Sequence, residues 1–87
     1  MARATLVLPR VLQDSIGTVR IKVEGRTLAD AFEDAYRRVP ALRHHLCEEG
    51  GRFRPHVLCF HQGERRPMTT LLEDGDEISI FQAISGG

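Results

Sequence analysis

The chain has 87 residues, a length that supports one domain with a single small hydrophobic core and leaves no room for a separate substrate domain. Apolar residues make up 41% and charged residues 28% of the sequence, which excludes an intrinsically disordered, collagen-like or membrane-embedded protein. Twelve basic residues balance twelve acidic ones, so no overall field attracts nucleic acid or a membrane surface, and neither is expected as a partner.

The amino-terminal segment and the cysteines bear on the compartment. Residues 1–10 contain no apolar core of signal-peptide length, and no later run approaches the roughly 20 apolar residues of a membrane span. Cys47 and Cys59 form no CxxC pair, and a domain of this length needs no disulfide framework, so both thiols are expected to be reduced. The sequence therefore predicts a cytoplasmic protein.

Two strands are predicted near the amino terminus. Residues 4–8 form a short run rich in β-forming side chains. Residues 18–24 alternate strictly between apolar and charged side chains, as a half-buried antiparallel strand requires. Turn-forming residues at 14–17 lie between the two runs, so the sequence predicts an N-terminal hairpin with a loose connection.

A helix is predicted over residues 27–39. It begins with Thr27 and Asp30, which have the spacing of an N-terminal capping pair. Apolar residues then recur at steps of three and four, while charged residues, Asp34 among them, fall on the opposite face. This pattern predicts that one stripe of the helix covers a sheet. A further helical turn is expected after Pro40.

The second half of the chain is predicted to hold three more strands. Residues 53–62 contain a nearly continuous apolar run, which indicates a central strand. Residues 64–66 form a short charged strand that the following proline confines to a sheet edge. Residues 69–72 are expected to make one helical turn, and residues 77–83 form the last strand.

The order strand, strand, helix, strand, short strand, strand predicts an α+β protein with a β-grasp (ubiquitin-like) fold, in which one main helix covers a mixed sheet. The whole chain, residues 1–87, is expected to be a single domain with a flexible tail at about 84–87. Besides this order of elements, two sequence motifs resemble those of a known family. They are Leu-Leu-Glu-Asp-Gly-Asp-Glu-Ile at 71–78 and the terminal pair Gly86-Gly87. Together they resemble the ThiS/MoaD family of ubiquitin-like sulfur-carrier proteins, and the resemblance covers essentially the whole chain.

The tail has a chemistry of its own. Since glycine has no Cβ, Ser85, Gly86 and Gly87 can extend through a channel too narrow for side chains, each residue reaching up to about 3.5 Å. The terminal carboxylate is ionised at neutral pH and is a poor acceptor for a nucleophile. It therefore needs activation before it can react.

The resemblance implies how Gly87 is activated. In this family an E1-like adenylating enzyme uses ATP to convert the terminal carboxylate to an acyl-adenylate, and sulfur from a sulfur donor enzyme then replaces AMP. The product is a thiocarboxylate that gives its sulfur to a small molecule held by an acceptor biosynthetic enzyme. The protein itself is then a cosubstrate, with no cofactor bound and no catalytic residue of its own.

Phe81 is the second feature to single out. If Ile78 and Ile80 face the core, a period of two places Ser79 and Phe81 on the opposite face, which no helix remains to cover. The resemblance implies that Phe81 contacts the activating enzyme, with Ile84 as a neighbour in that contact. The alternative is a phenylalanine at the edge of the core.

Other chemistry finds little support in the sequence. The four histidines and two cysteines match no familiar zinc spacing, so no metal site is expected. There is no Gly-x-Ser-x-Gly elbow and no phosphate-binding glycine loop.

Three functions remain open. The preferred one is the sulfur carrier. The second is a ubiquitin-like modifier joined through Gly87 to lysines of other proteins, and the third is a β-grasp module that binds partners without any covalent step.

Overall fold

The computed structural model of the protein describes residues 1–83, so the tail predicted at 84–87 lies outside the described residues. The elements occur in this order along the chain: β1 (Ala2–Val7), α1 (Arg10–Ile16), β2 (Arg20–Gly25), α2 (Leu28–Arg38), α3 (Pro40–Leu46), β3 (Val57–His61) and β4 (Asp76–Gln82).

The strands form one sheet in the order β2-β1-β4-β3. β1 and β4 run parallel at its centre, and each pairs with an antiparallel neighbour, which confirms the predicted mixed sheet. The prediction of a central strand at 53–62 was wrong, because β3 is shorter and lies at an edge. Its apolar run is continuous for another reason: Leu58 and Phe60 face away from the core and are only half-buried.

The short strand predicted at 64–66 is also absent from the described chain. After β3 the backbone reverses through Gln62 and Gly63, which have φ angles of 51° and 83°. A single bridge between His61 and Glu64 is all that forms there. The turn is too tight and the following proline too close for a further strand to develop.

The segment predicted as one helical turn at 69–72 has a different structure and a clear function in the fold. The carbonyls of Met68 and Thr70 accept the N–H groups of Ala29 and Leu28, both at 3.0 Å. These N–H groups belong to the first turn of α2 and have no partner within that helix. The segment therefore runs across the beginning of α2 and satisfies its free donors, which a helical turn would not do.

The hairpin connection predicted as loose is a helix, α1. Leu12 is buried and Ile16, four residues later, packs against the same core, so the short segment gains a tertiary contact that its sequence pattern does not show. Gly17 ends the helix with a φ of 89°, and its N–H donates to the carbonyl of Gln13 at 2.7 Å. The turn-forming residues are the end of a helix rather than a loop.

The longest helix, α2, covers the inner face of the sheet as predicted. The Thr27 hydroxyl accepts the N–H of Asp30 at 3.2 Å, which confirms the N-terminal cap. Five residues of the predicted apolar stripe are buried: Leu28, Ala31, Phe32, Ala35 and Tyr36. The sixth, Val39, is only half-buried and follows the last residue of the helix. The buried stripe shares one core with Ile78 and Ile80 of β4. Asp34 departs from the prediction, since it is 4% exposed and not on the solvent face.

Candidate functional site

The face of the sheet opposite α2 presents an exposed group of apolar side chains. Phe81 is 51% exposed there, although Ile80 beside it is almost fully buried. Phe81 pairs in register with Leu58 on β3, and its ring meets Phe60 edge to face with the centroids 5.3 Å apart. We name Leu58, Phe60 and Phe81 the apolar patch. Such a contiguous aromatic surface on a small domain is typical of a site that a partner completes.

The orientation predicted for Phe81 is confirmed. Ile78 and Ile80 face the core, and Ser79 and Phe81 face the other side of the sheet. The alternative of a phenylalanine at the edge of the core is not what the structure shows, since Phe81 contributes to a surface. Its contact with an activating enzyme stays a prediction.

The strand that carries Phe81 also leads toward the carboxyl terminus. Beyond the last strand residue, Gln82, the N–H of Ala83 donates to the carbonyl of His56 at 2.7 Å. The pairing between the two strands therefore continues to residue 83. The other residues predicted for the site lie outside the described residues: Ile84, Ser85, Gly86 and Gly87.

The Asp74-Gly75-Asp76 motif is a structural turn that holds β4 against β1. The Asp74 carboxylate accepts the backbone N–H of Arg3 at 2.8 Å, and the Gly75 N–H donates to the Arg3 carbonyl at 2.8 Å. Gly75 has a φ of 91°, which glycine adopts without strain. The motif thus sets the register of β4, the strand that carries Phe81.

His61 and Asp76 form a buried pair that the sequence did not reveal. The Nε2 atom of His61 lies 2.7 Å from the Asp76 carboxylate, which also accepts the N–H of Glu73 at 2.9 Å. Burial opposes ionisation of Asp76, but these donors outweigh it and hold its pKa below the ordinary value. One signal was available: His61 is in phase with the buried Val57 and Cys59.

The thiols are structural. Cys47 is buried, with its Sγ atom 3.2 Å from the Tyr36 hydroxyl. Burial raises the pKa of the Cys59 thiol to about 11, so at neutral pH it is protonated and a poor nucleophile. Both cysteines are free, in line with the expectation that neither forms a disulfide.

Residues 1–83 contain no site for a metal ion and no membrane-spanning helix. Within them no three His, Cys, Asp or Glu side chains come together in a way that could hold a metal ion. No helix in the same range is long and apolar enough to cross a membrane.

Comparison with known proteins gives a consistent result. The family model described as "ThiS family" matches residues 12–87. Small archaeal modifier protein 1 of Haloferax volcanii is 31% identical over 71 residues, which are 80% of this chain and 82% of that protein. The crystal structure of the same Haloferax protein superposes with a TM-score of 0.88 at 24% identity and covers 99% of this chain and 100% of that one.

A third similar structure is that of the BexX/CysO complex of Amycolatopsis orientalis. The matched chain has a TM-score of 0.80 at 20% identity, over 97% of this chain and 99% of that one. This likeness shows a shared fold, and these neighbours are β-grasp proteins, which confirms the predicted fold class. Since the family match covers most of the sequence, the chain belongs to the ThiS family of small ubiquitin-like carrier proteins.

Proposed function

We propose that this protein is a sulfur carrier whose Gly87 carboxylate is adenylated by an E1-like enzyme and then converted to a thiocarboxylate. It serves as a recycled protein cosubstrate in the cytoplasm rather than as an enzyme. The activating enzyme consumes the ATP, and the carrier binds no cofactor of its own.

One observation carries this proposal. The family match extends through residue 87 and therefore includes Gly86 and Gly87. The structure adds support, because the exposed Phe81 lies on the strand that leads to these residues. A partner seated on the apolar patch is close to where the chain leaves the sheet.

The chemistry needs four steps: adenylation, loading with sulfur, transfer to the acceptor molecule and hydrolysis. A carboxylate oxygen of Gly87 attacks the α-phosphorus of ATP, pyrophosphate leaves, and a mixed anhydride with AMP forms. Sulfide delivered by the sulfur donor enzyme attacks the acyl carbon, and AMP leaves with the electron pair of the broken C–O bond. The thiocarboxylate sulfur then attacks an electrophilic carbon of a small molecule held by the acceptor enzyme and displaces an oxygen leaving group, which departs with its electron pair. Water then cleaves the acyl–sulfur bond of the resulting thioester, which leaves the sulfur on the small molecule as a thiol and regenerates the carboxylate.

Intact mass spectrometry after coexpression with the adenylating enzyme and the sulfur donor tests the proposal. We expect a product whose mass reflects one oxygen replaced by one sulfur. Removal of Gly87 abolishes this product, while the denaturation midpoint is unchanged. An unmodified mass in the presence of ATP and an active adenylating enzyme contradicts the proposal.

A second candidate is protein modification, which the name of the Haloferax relative favours. In that case the adenylate is attacked by a lysine amine of another protein, AMP leaves, and an isopeptide bond forms. This chain has a single lysine, Lys22, so self-linkage through side chains is restricted to one position. Isopeptide conjugates in the same mass spectra, with no thiocarboxylate, favour the modifier. Activity that survives the loss of Gly87 favours a non-covalent module instead.

A further inference from the structure

We propose that the outer edge of β2 binds an extended peptide segment of a partner protein, with an acidic residue of that segment opposite Lys22. β2 and β3 are the two edge strands of the sheet, so this site lies at the far side of the sheet from Leu58 and Phe60. It involves neither the tail nor the tail's chemistry. The inference therefore goes beyond the proposed function and is tested separately from it.

The pairing of β2 with β1 determines which backbone groups of β2 face outward. The N–H of Leu8 donates to the Val19 carbonyl at 2.8 Å, which places the backbone groups of Val19 on the side of β1. Successive residues of a strand present their N–H and C=O groups to alternate sides, so those of Ile21 and Val23 also face β1. The backbone groups of three residues face outward: Arg20, Lys22 and Glu24.

Lys22 is the open point of this edge. Its outward N–H and C=O groups have no hydrogen-bond partner among residues 1–83. The groups of Arg20 contact only the Thr18 hydroxyl, which accepts the N–H at 3.4 Å and donates to the carbonyl at 3.0 Å. Because Thr18 is exposed, rotation of its side chain frees both groups. Four backbone groups are thus available, and main-chain hydrogen bonds to such groups give an added strand its affinity.

The open part of the edge ends at Glu24. The N–H of Glu24 donates at 2.8 Å to the carboxylate of Asp34, which is buried and is also held by Arg38. An added strand cannot replace this fixed acceptor. The site therefore admits a segment of about three residues, opposite Arg20, Ile21 and Lys22, and no long strand.

The side chain of Lys22 selects the charge of the segment. It is exposed and forms no ion pair with any residue of the described chain. The nearby guanidinium of Arg38, by contrast, is paired with Asp34. Residues directly opposite each other on paired strands have their side chains on the same face, with Cβ atoms about 5 Å apart. An aspartate or glutamate opposite Lys22 is therefore favoured, and a lysine or arginine is disfavoured.

The next position of the segment is apolar. The residue opposite Ile21 points to the helix side of the sheet, because Ile21 points there. Ile21 is buried, and Val19, just before β2, is 39% exposed. An apolar side chain on the segment buries further apolar surface at this rim of the core. The segment thus carries an acidic residue next to an apolar one.

A second copy of this chain does not fit the same edge. Antiparallel pairing of two copies through Arg20 and Lys22 places a cation opposite a cation in every register that uses these groups. Glu24 is the one acidic residue of β2, and its outward N–H is already bonded to Asp34. The edge therefore repels its own copy, as charged edge strands do, and accepts an acidic segment.

An NMR titration of the isotope-labelled, full-length protein with a synthetic peptide tests the proposal. The probe is acetyl-Ser-Val-Glu-Val-Ser-amide, which places an acidic residue between two apolar ones. We expect saturable shifts of the Arg20 and Lys22 amide signals, with a dissociation constant of about 1 mM, as suits a short peptide that is ordered on binding. Exchange of the Lys22 amide hydrogen with solvent should slow at least about threefold at saturation. The signals of the apolar patch should not shift.

Two control peptides separate backbone pairing from charge. N-methylation of the glutamate removes the N–H that the Lys22 carbonyl accepts, and it should abolish the shifts. Replacement of the glutamate by lysine should weaken binding at least about fivefold.

Variants of the protein provide the reciprocal test. Lys22→Glu should weaken binding of the glutamate peptide at least about fivefold and improve binding of the lysine peptide. Lys22→Gln repeats the first comparison if the reversed charge impairs folding. Arg65→Glu is the matched control, since Arg65 is exposed and follows β3 at the other edge of the sheet, and it should change affinity less than about twofold. Thr18→Ala should tighten binding about twofold, because the hydroxyl no longer competes for Arg20.

Several results overturn the assignment of this edge. Equal affinity of the methylated and unmethylated peptides, or of the glutamate and lysine peptides, does so. Shifts centred on the apolar patch instead of β2 also overturn it. Shifts of the Lys22 amide signal on dilution without peptide indicate a second copy at the edge and contradict the proposal. None of these results bears on the thiocarboxylate, which is judged by the mass of the product.

Discussion

The side chains of His61 and Asp76 join the last residue of β3 to the first residue of β4 by a 2.7 Å contact beneath the sheet. A carboxylate only accepts hydrogen bonds, so the Nε2 atom of His61 carries the hydrogen. The Nδ1 atom is buried and has no hydrogen-bond partner among residues 1–83. Among these residues the His61 side chain therefore has one hydrogen bond, to Asp76, and this bond stabilises β4, the strand that carries Phe81.

We expect this pair to contribute to acid unfolding. The pKa of Asp76 is lowered in the folded protein, so its contribution is complete above the unfolded value of about 4 and is lost as the pH falls through the folded value. Asp76→Asn should reduce the free energy of unfolding at pH 7 by about 2 to 4 kcal/mol and make the acid limb shallower. Urea denaturation from pH 7 to pH 3 measures both effects. An acid limb as steep as in the original protein contradicts this assignment.

Asp34 accepts a hydrogen bond from the outer edge of β2 and is expected to contribute as much to the free energy of unfolding as Asp76 does. Its carboxylate accepts the Glu24 N–H and the Arg38 Nε–H, both at 2.8 Å, and a hydrogen bond from Arg37. Burial opposes its ionisation, yet these donors hold its pKa below the ordinary value. Asp34→Ala leaves the Glu24 N–H without its partner and removes the ion pairs with Arg37 and Arg38, and should cost about 2 to 4 kcal/mol in urea denaturation at pH 7.

The neighbouring carboxylate of Glu33 provides the control for Asp34. It is exposed, and the ion pair with Arg43 at 3.0 Å is its only hydrogen bond among residues 1–83. Glu33→Ala should change the free energy of unfolding by less than about 1 kcal/mol. Similar losses of unfolding free energy from Asp34→Ala and Glu33→Ala would show that the hydrogen bond between Asp34 and the edge of β2 does not stabilise the fold.

Periodicity predicted the elements whose burial follows one simple face. The alternation in β2 and the apolar stripe of α2 were both confirmed, and the phase of β4 placed Phe81 correctly. Periodicity failed where a residue's environment depends on distant chain. Asp34 is buried because its carboxylate accepts the Glu24 N–H at the outer edge of β2. The segment around Leu12 forms helix α1 because Leu12 packs into the core beside it.

In the candidate site too, local features could be predicted from the sequence and long-range ones could not. The exposure of Phe81 follows from local alternation, whereas its packing against Phe60 depends on which strand is the neighbour of β4. The order of strands is set by long-range pairing, and the sequence pattern placed β3 at the centre instead of the edge. The groove that Arg3 and Lys22 line depends on register as well, since it exists only when β1 and β2 pair.

Gly25 is expected to be the glycine least tolerant of a side chain among those described. A Cβ atom there would lie 2.7 Å from the Asp30 Cβ and 2.8 Å from the Ala31 backbone nitrogen, so β2 and α2 would have to separate. Gly25→Ala should lower the free energy of unfolding by about 2 to 3 kcal/mol. Thermal denaturation measures the loss. Gly50→Ala is the matched control, because nothing lies within 4 Å of its added methyl group, and an equal loss there contradicts the steric explanation.

The buried thiols make the proposed thiocarboxylate selectively detectable. With the pKa of Cys59 raised to about 11, only about one thiol in a thousand is ionised at pH 8, and the same burial blocks access to it. Cys47 is equally enclosed, next to Tyr36.

Brief treatment of the folded protein with iodoacetamide should leave both cysteines unlabelled and alkylate a thiocarboxylate at Gly87. Unfolding in guanidinium before treatment should label both cysteines, which controls for reagent activity. Rapid labelling of Cys59 in the folded protein would show that β3 opens far more readily than its hydrogen bonds indicate.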